Sequence, residues 1–450
     1  MSTYDLLVRN GTLASGETID LAVSAGTIVA LGRELTGSAQ EEIDASGLYL
    51  FPGGIDAHVH INEPGRTHWE GFATGSRALA AGGMTAFFDM PLNSTPPTRD
   101  AAAFRQKLEA AQQASLLDFA FWGALQPDNL EQLDELVECG VIGFKAFMSE
   151  SGTDDFQSVD DLTLYEGMQR IAKLGSLLAV HAENLTLTRA LAQRARAQGK
   201  TDIRAYLESR PIIAEVEAIQ RAILFADETG CPLHIVHVSC GAGVRLVIEA
   251  RARGVDVSCE TCPHYLVLTE EDVEQLGAVA KCAPPLRPLE EQEALWDYVR
   301  RGEIAFVASD HSPAPRELKE HEDFFAAWGG ISGAQSTLPL LLTEGYAARR
   351  LPLPLLVELI SARVARRFRL WPQKGSLTVG SDADFVLVRL EKRYTLQQDG
   401  LFYRHQHSPY IGREMQGVIE RTVVRGQTVY LEGWHAERPY GRLLRPGAKV

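Results

Sequence analysis

The sequence predicts an α/β protein built on a (β/α)8 barrel of the TIM type, with a small β-sandwich domain formed from both chain termini. Three observations predict it. Between Gly54 and Pro313 short β-branched or apolar runs alternate with longer amphipathic stretches, the signature of repeated βα units. Eight such runs can be counted, the number that a closed barrel needs. Towards both ends of the chain the helical period disappears, and short alternating runs separated by Gly-containing turns replace it.

The eight barrel strands are expected at 54–61, 84–90, 118–124, 141–148, 176–183, 232–239, 255–260 and 304–309, each followed by polar, Gly or Pro residues. Between the second and third, Phe104, Leu108 and Ala111 share a helical face behind Asp100, a residue suited to an N-terminal turn. Leu133, Leu136 and Val137 repeat the pattern before Gly140, which sits where a left-handed residue ends a helix. Runs at 5–8, 19–23 and 28–31, and again at 384–390 and 418–430, read as antiparallel strands. Residues 1–51 and 376–450 are therefore expected to pair into one β-domain, with the barrel spanning 52–375.

The 450 residues, 45% hydrophobic and 23% charged, suffice for a large core. A formal net charge of -15 excludes nucleic acid as a partner, because phosphate neutralisation needs clustered Lys and Arg. No stretch reads as a signal peptide or a membrane span, so a cytoplasmic location is expected. Six cysteines, Cys139, Cys231, Cys240, Cys259, Cys262 and Cys282, are too sparse for a disulfide scaffold and read as reduced, buried small side chains. Cys259-Glu-Thr-Cys262 has half the spacing of a zinc ribbon, but no second pair follows.

Chemistry concentrates at strand ends. In Asp56-Ala-His58-Val-His60 alternate residues point the same way, so both imidazoles face one side and can hold a divalent ion through neutral nitrogens. Lys145, His181, His237 and Asp310 fall at the ends of the fourth, fifth, sixth and eighth runs, which a parallel barrel gathers at one mouth. Taken singly, His181 and His237 read better as core histidines with one hydrogen bond each. Lys145 in Gly143-Phe-Lys-Ala-Phe147 does not, since an ammonium in an apolar strand carries a large desolvation cost. Burial favours the neutral amine, which can add carbon dioxide to form a carbamate whose oxygens bridge two cations. Asp310 is the candidate general base, able to ligate an ion and take a proton from a metal-bound hydroxide. His311 is expected at most to stand behind it.

These motifs, with Val180-His181-Ala-Glu183, His237-Val-Ser239, Ser309-Asp-His-Ser-Pro313 and Gly380-Ser-Asp-Ala-Asp384, resemble the amidohydrolase superfamily over nearly the whole chain. The resemblance lies in its cyclic amidase branch of dihydroorotases, hydantoinases, dihydropyrimidinases and allantoinases. It implies that His58 and His60 hold one metal with Asp310, that His181 and His237 hold the other, and that Lys145 bridges both as N6-carboxylysine. Zinc is the expected metal, with iron, cobalt and manganese chemically admissible. Segments 62–71, 90–94 and 327–335 resemble those of allantoinases. Where dihydroorotases carry an Arg for a substrate carboxylate, this chain has Asn62. Where hydantoinases carry a Tyr, it has Phe147, which leaves oxyanion stabilisation to the metals and to Ser312 or Asn93. Main-chain groups near Ala283 and Gly329 are implied to grip the ring.

The implied reaction is attack of a metal-bridging hydroxide on the ring carbonyl of allantoin, with Asp310 shuttling the proton, to give allantoate. The alternatives are hydrolysis of hydantoins or dihydropyrimidines, or a non-catalytic assembly role. Relatives of this kind are frequently tetramers, so a homo-oligomer is expected. Gly241-Ala-Gly243 is too short for a phosphate loop. His264 has either a site or a structural role, and His405 and His407 lie past the barrel. Trp69 and Phe72 read as helix packing, Glu63 and Arg66 as a pair, and the polar, aromatic loop 311–331 as a mobile cover for the mouth.

Overall fold

The computed structural model describes residues 3–447. Eight parallel strands succeed one another in chain order: Gly54–Val59, Met84–Asp89, Asp118–Ala124, Gly143–Phe147, Leu178–His181, Leu233–Ile235, Val257–Thr261 and Phe306–Val307. A parallel bridge between Val59 and His311 closes the ring, with the His60 N–H donating to the His311 carbonyl over 2.7 Å. All eight lie where the pattern predicts them. Several are shorter than expected because the chain leaves the ladder before the apolar run ends; the sixth stops at Ile235, and His237 turns away with φ 39°.

Strand alternation sorts side chains into two layers. Phe87, Phe119 and Phe121 pack outward with Phe72 and Phe104 against the surrounding helices. Their sequence neighbours Ala86, Phe88, Ala120 and Trp122 point inward and, with Ile55, Phe306 and Phe368, fill the barrel interior. The Trp122 indole N–H donates to the Ala57 carbonyl over 3.0 Å, satisfying the one polar atom that this plug buries. Each fully buried aromatic contributes about 1.5–3 kcal/mol. The plug also forces any ligand to the upper end of the barrel, where the strand termini open.

Helix ends follow the local signals. Asp100 caps Ala101–Ala114 by accepting from the Ala103 N–H at 2.8 Å. Gly140, at φ 94° and ψ 39°, ends Leu133–Cys139 in the left-handed conformation that a Cβ would disfavour.

Both termini build one nine-stranded sheet, because Tyr49–Pro52 pairs antiparallel with Phe385–Thr395, Phe51 facing Val386. Its own core comprises Leu6, Val8, Leu21, Ile28, Leu50, Phe385, Leu387 and Val423. Two details differ from expectation. Residues 418–430 form a hairpin, Glu414–Val424 and Gln427–Leu431, turning at Arg425 and Gly426, both with positive φ. Thr3–Thr12 pairs in parallel with Ser38–Asp44; alternation of apolar residues is the same in either direction and carries no sign of it. The tail returns to the barrel, where Phe119 donates to the Arg442 carbonyl at 3.0 Å and accepts from the Leu444 N–H at 2.7 Å.

Candidate active site

Six side chains from five strand ends meet at the barrel mouth. His58 lies in the first strand and His60 just beyond it, Lys145 lies within the fourth, and His181 closes the fifth. His237 and Asp310 follow the sixth and eighth in left-handed conformations, at φ 39° and 46°. Such strain on residues with a Cβ persists only where surrounding structure enforces it. Here it turns both side chains inward. His58 Nε2 and His60 Nε2 lie 3.2 and 3.3 Å from Asp310 Oδ1, and the three ligand atoms fall within 4.8 Å of one another. His181 Nδ1 approaches His237 Nε2 to 3.0 Å.

Hydrogen bonds on the far side of each ring fix which nitrogen faces inward. His58 Nδ1 pairs with Glu260 Oε1 at 2.5 Å, and His181 Nε2 with Glu183 Oε2 at 2.7 Å. With protons directed to those carboxylates, His58 Nε2 and His181 Nδ1 present lone pairs to other acceptors. His58 Nε2 thus faces the Asp310 carboxylate acceptor against acceptor, which is repulsive unless a cation lies between them, whereas His237 Nε2 can donate to His181 Nδ1. Burial pushes the His58 and His237 imidazoles well below their ordinary values, so they are neutral and ready to ligate, and it pushes the Glu260 carboxyl well above. A cation restores the balance on both counts. Lys145 fits the same requirement: its Nζ is buried without a hydrogen-bond partner, and burial lowers its pKa to about 8. The donor set therefore suits divalent metal, and the chain is a metal-dependent enzyme.

The cluster floors a cavity of ≈ 480 Å³. Asn93, Ala283, Ser312 and Gly329 line it, together with Phe147. Asn93 Oδ1 is buried without a partner, at a residue with φ 67°. Asn62 does not line the cavity; its amide donates to the Pro313 carbonyl at 3.2 Å and ties the first mouth loop to the eighth. Phe147 stacks on His181, ring centroids 4.6 Å apart at 11°, and orients that imidazole rather than offering a donor. Gly330 packs against Ser312, where a Cβ would come within 2.4 Å of the Ser312 carbonyl oxygen.

Glu63 and Arg66 do not pair: Glu63 accepts from the Phe72 N–H at 2.8 Å, while Arg66 reaches the Asn93 carbonyl at 2.9 Å and Asp155 at 3.3 Å. A carboxylate near a helix start is better used on a free N–H, which the sequence spacing alone did not reveal. Phe72 is core, whereas Trp69 meets Trp328 of loop 311–331 edge-on at 4.7 Å. His264 is buried with neither ring nitrogen hydrogen-bonded. His405 and His407 bond to the His68 and Ala314 carbonyls, away from the cluster. His311 accepts from the Gly333 N–H at 3.2 Å and faces Glu70.

Sequence reading missed Glu260, which also holds His234 at 3.0 Å, and gave no role to Glu183 or its partner Arg210. The signal applied to Lys145, a charge inside an apolar run, was equally present in Val257-Ser-Cys-Glu-Thr261. Asp56 accepts from the Ser309 N–H at 3.1 Å and so ties the first strand to the last.

A closed parallel barrel with histidines, an aspartate and a buried lysine at its C-terminal mouth defines a class, and residues 49–429 match the amidohydrolase family. The chain belongs to that family. Over its full length it is similar to allantoinases, 56% identical over 448 residues to that of Rubrobacter xylanophilus and 54% over 447 residues to that of Deinococcus radiodurans. These alignments cover 99% of this chain and 98% and 99% of the relatives. Among solved structures it is similar to the L-hydantoinase (dihydropyrimidinase) of Arthrobacter aurescens, with TM-score 0.95 and 37% identity, covering 98% of this chain and 99% of that one. Among the described residues no helix is long and apolar enough to cross a membrane.

Proposed function

We propose that this chain hydrolyses the cyclic amide of allantoin to allantoate at a binuclear metal centre. The observation that carries it is the convergence of His58, His60 and Asp310 beside His181, His237 and an unpartnered Lys145, in a chain more than half identical to allantoinases. His58, His60 and Asp310 would hold one ion and His181 and His237 the other, with Lys145 joining them as N6-carboxylysine; zinc suits this set. When bound, the cations lower the pKa of water and polarise the ring carbonyl. Asp310 takes the proton of the attacking water and delivers it to the departing ring nitrogen, and no side chain of this protein forms a covalent intermediate. Ser312 Oγ, Asn93 and main-chain groups at Ala283 and Gly329 orient the ring from the cavity wall. Phe147 keeps water from the far side of His181.

Metal analysis with an allantoin assay tests the reading. About two ions per chain and turnover that chelation abolishes are expected; a metal-free, active enzyme overturns it. A hydantoinase reading is favoured by the fold match to L-hydantoinase, and faster opening of hydantoins or dihydropyrimidines than of allantoin would establish it. We place the enzyme in the cytoplasm as a homo-oligomer, a tetramer by preference. Exposed Leu162 and Leu224, on the adjoining helices Asp161–Lys173 and Ile212–Thr229, support self-association. The separate core of the terminal sheet supports a division into 1–51 with 376–450 and 52–375.

A further inference from the structure

We infer that Arg210 grips the ureido substituent of the substrate and so selects allantoin from unsubstituted rings, an assignment that rests on the proposed function. The cavity of ≈ 480 Å³ is larger than a five-membered ring requires, and beyond the ligand cluster it continues past Thr188, Tyr206, Arg210 and Lys281. That extension has room for a substituent on a ring held at the cluster.

Four cationic side chains line it; Lys281 has its donors committed, and Arg189 and Arg196 are far more exposed to solvent than Arg210. Lys281 Nζ gives all three protons to the Phe324, Phe325 and Ala327 carbonyls, at 2.6, 3.2 and 2.5 Å. Arg189 and Arg196 are half-exposed and pair with Glu150 at 2.8 Å and Asp323 at 3.1 Å. Arg210 is different. It is mostly buried, one of its nitrogens donates to Glu183, and its Nε and other Nη have no protein partner among the described residues. Those two nitrogens are not sealed off as the buried orphan atoms of Lys145 and His264 are; they open on the cavity that the residue lines. Glu183 in turn holds His181, so the guanidinium stands one carboxylate away from a ligand histidine. A ureido carbonyl offers the acceptor that this donor pair fits, and a desolvated guanidinium hydrogen bond is strong. Hydantoin, with hydrogen in place of the ureido group, has nothing for it to hold.

Arg210→Lys tests the assignment, because it leaves Glu183 a cation while removing the planar donor pair. KM for allantoin is expected to rise about tenfold with kcat falling less, while Ki for hydantoin as competitive inhibitor changes less than about threefold. Equal weakening of both ligands, or an unchanged allantoin KM, overturns the assignment; the first result would mean that Arg210 acts only through Glu183. If hydantoin inhibits neither enzyme, the KM for allantoin alone decides, with a change below about twofold overturning it. Wild-type enzyme that does not open allantoin overturns the proposed function and this assignment together.

Discussion

At Lys145 two costs compete. An ammonium buried without a partner is penalised by several kcal/mol, and a neutral amine without a partner still forfeits its hydrogen bonds with water. Burial that lowers its pKa to about 8 leaves an appreciable neutral fraction near neutrality, and carboxylation converts the liability into an anion between cations. Lys145→Ala is therefore expected to lose metal and more than about a hundredfold of turnover, with partial recovery on addition of a short carboxylic acid; full metal content in the variant would deny Lys145 a bridging role. Asp310 faces His58 and His60 through Oδ1, which leaves its second carboxylate oxygen to carry a proton. Asp310→Asn is expected to retain much of its metal yet turn over roughly 10²–10⁴-fold more slowly. Metal analysis beside single-turnover kinetics separates these effects, and comparable turnover in the variant removes Asp310 from proton transfer.

At the scale of elements, loop 311–331 was expected to move as a whole, but the structure divides it. Lys319 Nζ donates to the Ala278, Trp328 and Gly330 carbonyls at 3.2, 3.0 and 2.5 Å, and Lys281 holds residues 324–327. Arg316 and Glu317 just before Lys319, and Glu320, His321 and Glu322 between it and residue 324, are exposed. Hydrogen exchange is expected to be fast over 316–323 and slow over 324–330, and Lys319→Met should speed exchange of 328–330 at least about tenfold; uniform exchange along the loop would contradict the division. In the terminal sheet, Asp20 accepts from the Asn10 N–H, the Leu35 N–H and Arg9, at 3.0, 3.0 and 2.8 Å. Burial raises its pKa, but these donors together lower it below the ordinary value. A carboxylate lowered in the folded state contributes stability that is fully present above its unfolded pKa of about 4 and is lost as pH falls through the folded value. Asp20→Asn should thus cost roughly 1–3 kcal/mol at pH 7, and the gap from wild type, read by urea unfolding, should narrow below about pH 4. A gap independent of pH would mean that packing and not charge is lost.

At the scale of the whole molecule, what the sequence discloses is set by range. Barrel strands were legible because alternation and turn residues are local, and the ligand-bearing strand ends were legible because topology carries every one of them to the same mouth. Pairings across long separations left no local trace: Glu260 against His58, Arg210 against Glu183, and the parallel partner of the first strand each depend on the assembled fold. Another such pairing joins the two halves of the molecule. Asp118, in the third barrel strand, meets Asp382 and Asp384 at the edge of the terminal sheet, three carboxylates close enough together to suggest a cation site. Lys374 already fills it, with Nζ at 2.5, 2.8 and 2.6 Å from the three, and Arg425 donates to Asp118 as well. Burial opposes the charge on Lys374, yet the surrounding carboxylates raise its pKa above the ordinary lysine value. Removing that ammonium leaves buried anions to repel one another, whereas the active site, on the far side of the Trp122 and Phe306 plug, loses no contact. Lys374→Met is therefore expected to destabilise the fold by roughly 3–5 kcal/mol, seen as a lower melting temperature, while the folded fraction keeps its metal content and its kcat for allantoin. If metal added to the variant restores the melting temperature and one ion beyond the wild-type number is bound, the cluster is a cation site that the lysine merely occupies; if stability falls and metal content does not change, the ion network is the fastening between barrel and sheet.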